Sequence, residues 1–225
     1  KDLLQLQTFS ILFFVLAAGL RLMPWLTKTL RLLNWMRFLG HPFSFRDSFR
    51  VTMMTELGAA ISPTSIGGEP VKAGALYQKG TTLGEAASLT TIAAVENFAF
   101  YAIGIPAALI ITSPWHMPRL HDLFSRALSD APTMLLLIAT VVAVIVTATV
   151  IIRKTRALRG LRKKLDHFWT DFKSLYVSMI KRGKGRFAIN VFLAGLHWIS
   201  RYSVVAVLAL GLGHEVDFVQ FFLLQ

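Results

Sequence analysis

Six ionisable side chains, Glu56, Glu69, Lys72, Glu96, His197 and Arg201, stand inside or beside long apolar runs. A charge within a membrane span costs about 2.5–3.5 kcal/mol on insertion scales unless it is paired or hydrated, so each marks a candidate functional position. Lysine and arginine in such a setting can hold a phosphate; carboxylates can hold a cationic or hydroxylated group. His197 lies four residues before Arg201, so the two share a helix face. The segment Pro63-Thr64-Ser65-Ile66-Gly67-Gly68-Glu69-Pro70 is a dense cluster of helix breakers. Within it, Gly67 and Gly68 leave backbone N–H groups uncovered ahead of a helix start, an arrangement that can hold an anion. Glu69 opposes an anion there unless it meets a cationic part of the same ligand or pairs with Lys72. Structural alternatives compete with each role. Glu69 and Lys72, three apart, can pair with each other. Arg201 can neutralise Glu96 or Glu56, and His197 can be an inward-facing polar residue beside Trp198.

Composition decides what must position these groups. Of 225 residues, 54% are hydrophobic and 16% charged, against about 45–50% and roughly 25% in soluble domains. The apolar residues fall in blocks near the roughly 20 residues that cross a bilayer as helix. Backbone in lipid has no water to bond, so each block must be helical. The expected fold is therefore all-α: a polytopic helical membrane bundle forming one transmembrane domain over 1–225. Spans are expected at about 3–23, 84–112, 133–152 and 187–212, with another beginning at 218–225. Pro24 and Trp25 are expected to close the first, and 28–39 to form a separate basic amphipathic helix at the surface. Pro106 is expected to kink the run containing Glu96. The sequence starts without methionine and stops inside an apolar run, read here as cuts in a longer chain; no signal peptide is visible.

Residues 153–186 carry twelve basic residues against Asp166 and Asp171. Within them Leu161, Leu165, Phe168, Phe172, Leu175 and Met179 alternate spacings of four and three, which predicts an amphipathic helix over 161–182. Segments 21–50 and 153–186 are both basic and should be cytoplasmic; 113–132 is balanced and 213–217 acidic, so both should lie outside. These sides alternate correctly only if residues 45–80 enter and leave on the cytoplasmic face, which predicts a re-entrant hairpin turning at Pro63–Gly68 and lining a cavity. The positive-inside effect already accounts for the basic charge, so no nucleic-acid partner is expected; anionic lipid is. With no cysteine, disulfides, zinc-thiolate sites and cysteine nucleophiles are excluded. The histidines lack metal spacing, and there is no Gly-x-x-x-x-Gly-Lys loop, Gly-x-Gly-x-x-Gly or Gly-x-Ser-x-Gly. No metal or cofactor is expected.

The stretch Ser62 to Ala73 resembles the signature of the lysylphosphatidylglycerol synthase transmembrane family, flippase-like membrane proteins of bacteria and archaea. The shared pattern is a proline, a Gly-Glu pair (Gly68, Glu69), a basic residue three positions on (Lys72), then Leu76, Gly80 and an acidic residue on the next helix (Glu96). Lys72 replaces a common arginine, and Asn97 follows Glu96 where arginine is usual, which leaves Arg201 as the expected substitute partner. The resemblance implies an integral protein of a prokaryotic cytoplasmic (inner) membrane that moves a polar-headgroup phospholipid, anionic or aminoacylated, between leaflets. The aminoacylated lipid would be made by a separate soluble transferase domain or enzyme, and no such catalytic domain fits in this chain. The substrate would meet Glu56, Pro63, Gly67, Gly68, Glu69, Lys72, Glu96, His197 and Arg201. The alternatives are a membrane-embedded transferase with Glu69 or Glu96 as general base, or a docking partner for a soluble lipid-modifying enzyme through 161–182. Self-association into a homo-oligomer stays open.

Overall fold

The computed structural model describes residues 11–63, 66–112, 159–214 and 216, with isolated positions between 132 and 147. Among them it is all-α, with helices α1 (Ile11–Phe38), α2 (Phe45–Ile61), α3 (Gly68–Gln78), α4 (Leu83–Thr112), α5 (Arg159–Arg182) and α6 (Lys184–Gly211). Three are long and apolar enough to cross a membrane: Ile11–Phe38, Leu83–Ala108 and Lys184–Gly211. Only 17–28% of their most apolar windows is buried within the protein, which leaves most of their apolar surface facing outward, as lipid contact requires. The expected spans at 133–152 and 218–225 and the loop at 113–132 lie outside the described residues, apart from those isolated positions.

Two compact units divide the chain: Lys1–Ala108 with Asp171–Gln225, and Leu109–Thr170. In the second, the described residues are the end of α4, the isolated positions and the start of α5, where Trp169 is exposed. In the first, α1 packs along α6, α2 along α3, and α1 against α2.

The expected break after Met23 is absent. α1 runs through Pro24 to Phe38, and its second half, instead of lying at the surface, is the most buried part of the helix: Arg31, Leu32, Leu33, Trp35 and Met36. A proline removes one helical hydrogen bond, here the one that would reach the Leu20 carbonyl, and packing along α6 carries the helix through it. One turn on, Thr27 Oγ1 donates to the carbonyls of Met23 and Pro24, both at 3.0 Å. α4 likewise continues past Pro106.

α2 and α3 form a helical hairpin whose two ends meet. The Lys79 ammonium at the end of α3 lies 2.6 Å from Asp47 in the first turn of α2. Capping boxes start the helices on this side: Ser44 with Asp47 for α2, and Thr82 with Glu85 for α4. Gly40 and Gly80 end α1 and α3 at φ +82° and +91°, where a side chain would strain the backbone. Their neighbours His41 and Thr81 return N–H bonds to Met36 and Leu76 carbonyls. Beneath these ends lies the core of Leu32, Leu33, Trp35, Met36, Phe43, Val51, Leu76, Leu89, Ile92 and Met179. Met179 supplies the buried face of α5, with Phe172 and Leu175 half-buried, while Lys173 and Lys181 are exposed.

The Lys79 ammonium, then the Ser44 hydroxyl, hold the Asp47 carboxyl well below the usual carboxylate range. A depressed folded-state pKa stabilises the fold above the unfolded value, near 3.9, and that stability is lost as pH falls. Thermal denaturation in detergent between pH 6 and pH 3 is expected to show a shallower acid loss for Asp47→Asn than for the parent. A second expectation concerns Gly183, between α5 and α6. A Cβ there would stand 2.4 Å from the Met179 carbonyl and 2.8 Å from the Trp35 ring, so Gly183→Ala should cost about 1–3 kcal/mol, read as a lowered Tm.

Candidate functional site

A cavity of about 240 Å³ lies among α1, α2, α3, α4 and α6. Helical spacing brings its lining together. α1 presents Lys28, Arg31, Leu32 and Trp35, one stripe at steps of three and four. α2 presents Thr52, Thr55 and Glu56; α3 presents Glu69 and Lys72. α4 contributes Leu89, Ala93, Glu96 and Asn97, and α6 contributes His197, Trp198 and Arg201. Six residues singled out by charge or polarity alone, Glu56, Glu69, Lys72, Glu96, His197 and Arg201, thus border one space.

Their partners differ from those expected. Glu96 is fully buried and does not meet Arg201. Its Oε2 accepts from Arg31 Nε at 2.9 Å and Nη2 at 2.7 Å. Its Oε1 accepts from Trp35 Nε1 at 2.5 Å and Asn190 Nδ2 at 2.9 Å. The rest of the Arg31 guanidinium donates to Asn97 Oδ1 at 3.0 Å and the Ala93 carbonyl at 2.9 Å. Asn97, noted above as a departure from the resembled pattern, therefore holds an arginine that arrives from α1. Asn34 extends the network, donating to Asn190 Oδ1 at 2.8 Å and accepting from Arg186 at its carbonyl, also at 2.8 Å. Charge-assisted donors fill both carboxylate oxygens, so Glu96 is a frame element here and not a free ligand.

The remaining carboxylates are more open. Glu56 pairs with Lys28 on α1, both side chains about one-third exposed. Glu69 pairs with Lys72 at 3.6 Å, the helix-neighbour contact anticipated from spacing, and accepts from Thr90 Oγ1 on α4 at 2.8 Å. Lys72 is largely buried, Glu69 about half exposed. The lining thus carries four cations and three carboxylates, each carboxylate matched to a different cation. Arg201 is left over. Among the described residues no carboxylate lies within 4 Å of it; its guanidinium sits 5.4 Å from the centre of the Trp198 ring, and the residue is exposed. His197 is buried edge-on against Trp198, with Nδ1 3.5 Å from Thr27 Oγ1.

Among the described turn residues, Pro63, Gly67 and Gly68 do not border the cavity. Pro63 is exposed at the hairpin tip. The Gly67 N–H is occupied by Ser62 Oγ at 2.8 Å. A Cβ on Gly67 would stand 2.8 Å from the Gly58 carbonyl, and one on Gly68 2.9 Å from the Thr55 carbonyl. These glycines let two backbones touch, which replaces the anion-binding role expected of them. Sequence reading missed Lys28, Arg31, Trp35, Asn97 and Asn190. The available signal was the Lys28, Arg31, Leu32, Trp35 spacing, which continues one helix face straight past Pro24.

The family profile described as lysylphosphatidylglycerol synthase TM region matches residues 3–225. Among curated proteins, a UPF0104 membrane protein of Archaeoglobus fulgidus is 31% identical over 101 residues, 45% of this chain and 31% of that protein. The chain therefore aligns with about a third of that relative's length. No solved structure matches.

Removing one member of a buried ion pair strands the other charge, a loss of about 3–5 kcal/mol, whereas replacing both by apolar groups is often near neutral. Glu96→Ala and Arg31→Ala are each expected to lower Tm sharply. Arg31→Met combined with Glu96→Leu should recover much of the loss, read from thermal aggregation of detergent-solubilised protein.

Proposed function

This chain belongs to the lysylphosphatidylglycerol synthase TM region family of membrane proteins, and from that premise we propose that it is a lipid translocase that passes a phosphate-bearing headgroup between leaflets through the α1–α4, α6 cavity. The observation that carries this reading is Arg201. It lies 17 residues, about 26 Å of helix, beyond Lys184, yet it is exposed, borders the cavity and has no carboxylate among the described residues. An unpaired guanidinium at that depth is tolerable against water or a lipid phosphate and costly against hydrocarbon.

The hairpin gives the headgroup its polar wall. α2 has 17 residues and α3 has 11, about 26 and 17 Å, both short of a hydrocarbon core of about 30 Å. With Asp47 and Lys79 side by side, the hairpin enters and leaves at one level, so we read it as re-entrant. The basic loops support reading that level as cytoplasmic, and the family resemblance supports a prokaryotic inner membrane as the setting. In this mechanism Arg201 and Lys72 take the phosphate oxygens, Glu56 and Glu69 meet hydroxyl or amine groups, and acyl chains remain in lipid. The alternative of a transferase with Glu96 as base is disfavoured, because four donors already occupy that carboxylate.

The test is reconstitution into liposomes with headgroup-labelled lipids. Arg201→Ala and Lys72→Ala should each slow translocation by roughly tenfold, equivalent to about 1.4 kcal/mol, while the protein stays folded and monodisperse. Unchanged rates in both would remove the mechanism.

A further inference from the structure

We infer that the preferred ligand is a phosphodiester lipid with one net negative charge and no compensating amine, an inference that rests on the translocase reading for its transport arm. The argument is a charge balance inside the cavity. Arg31 is committed to Glu96, Lys28 to Glu56 and Lys72 to Glu69. Arg201 alone has no carboxylate among the described residues, so the described lining carries one uncompensated positive charge. A monoanionic headgroup brings the filled cavity to neutrality. A zwitterionic headgroup leaves one excess positive charge, and a lysyl-bearing headgroup, with two amines against one phosphate, leaves two. An amine that reaches Glu56 or Glu69 shares that carboxylate with Lys28 or Lys72, so the excess positive charge stays in the lining. In a space bounded by apolar helices, such an excess is poorly screened. The aminoacylated cargo implied by family resemblance is therefore the ligand this cavity accommodates least well.

The open groups fit the rest of such a headgroup. Glu69, about half exposed, and Thr55 border the same space and can accept from hydroxyls of a glycerol-like headgroup without any change in charge. Trp198, under the guanidinium of Arg201, keeps that cation on the cavity side of α6.

The experiment presents the purified full chain with equal amounts of phosphatidylglycerol, phosphatidylethanolamine and lysylphosphatidylglycerol. Retained lipid is measured by native mass spectrometry, and transport of each in liposomes. Phosphatidylglycerol should be retained about tenfold over phosphatidylethanolamine and about a hundredfold over lysylphosphatidylglycerol, the effect of one and of two unit charges roughly 10 Å away at an effective dielectric near 20. Arg201→Gln should abolish that preference, and Arg201→Lys should keep it. Equal or better retention of either amine-bearing lipid overturns the inference, as does a preference that survives Arg201→Gln or an absence of any retained lipid. Preferential retention of phosphatidylglycerol without transport supports the ligand assignment while refuting the translocase. Glycerophosphoglycerol or inorganic phosphate competing as well as the intact lipid would identify a free phosphate ligand and overturn the lipid assignment.

Discussion

A guanidinium and a carboxylate buried among lipid-facing helices leave little room for error, and the Arg31–Glu96 pair is the contact on which the architecture turns. Its geometry draws α1 to α4, while Asn190 joins both to α6. Once those helices are fixed, Lys28 faces Glu56 on α2, and Glu69 on α3 meets Thr90 on α4. The cavity is the space left between helices held apart by polar contacts instead of drawn together by small residues. Because four N–H donors already fill the Glu96 carboxylate, it can set this spacing without itself competing for a ligand.

The hairpin follows a different principle. Its two helices approach through Gly58, Gly67 and Gly68, where any Cβ would meet backbone at 2.8–3.0 Å. Close backbone contact makes α2 and α3 one stiff element, and stiffness suits a wall whose outer side is apolar. Leu57, Ile61 and Ile66 are all more than 60% exposed near its tip. The same short segment therefore presents hydrocarbon on one side and the carboxylates of Glu56 and Glu69 on the other.

Much of this was readable in the residues. Helix content, the amphipathic α5, the glycine-terminated α1 and α3 and the shared surroundings of the charged groups follow from hydropathy, spacing and cost of burial. Two features did not. Pro24 reads as a terminus because proline is judged locally, whereas packing against α6 decides that the helix continues. The partner of Glu96 was sought on α6 because Arg31 had been assigned to a surface helix; that pairing spans 65 residues, a distance over which spacing rules are silent. Gly67 and Gly68 had a local pattern consistent with anion binding, and only the position of Thr55 and Gly58 across the turn reveals what the missing side chains are for.

That 65-residue separation has a consequence for how the protein is made. When α1 leaves the translocon it carries Lys28 and Arg31 toward the bilayer while Glu96 has yet to be synthesised. Glu56 arrives with α2 to meet Lys28, but until α4 is made the low-energy position of α1 is one displaced toward the headgroup layer, with the Arg31 guanidinium snorkelling into water. Synthesis of α4 then supplies the carboxylate that lets α1 settle to its final depth, and α6, bringing Asn190, closes the network last. Membrane insertion and tertiary folding are thus not successive stages for this segment; the depth at which α1 rests depends on α4.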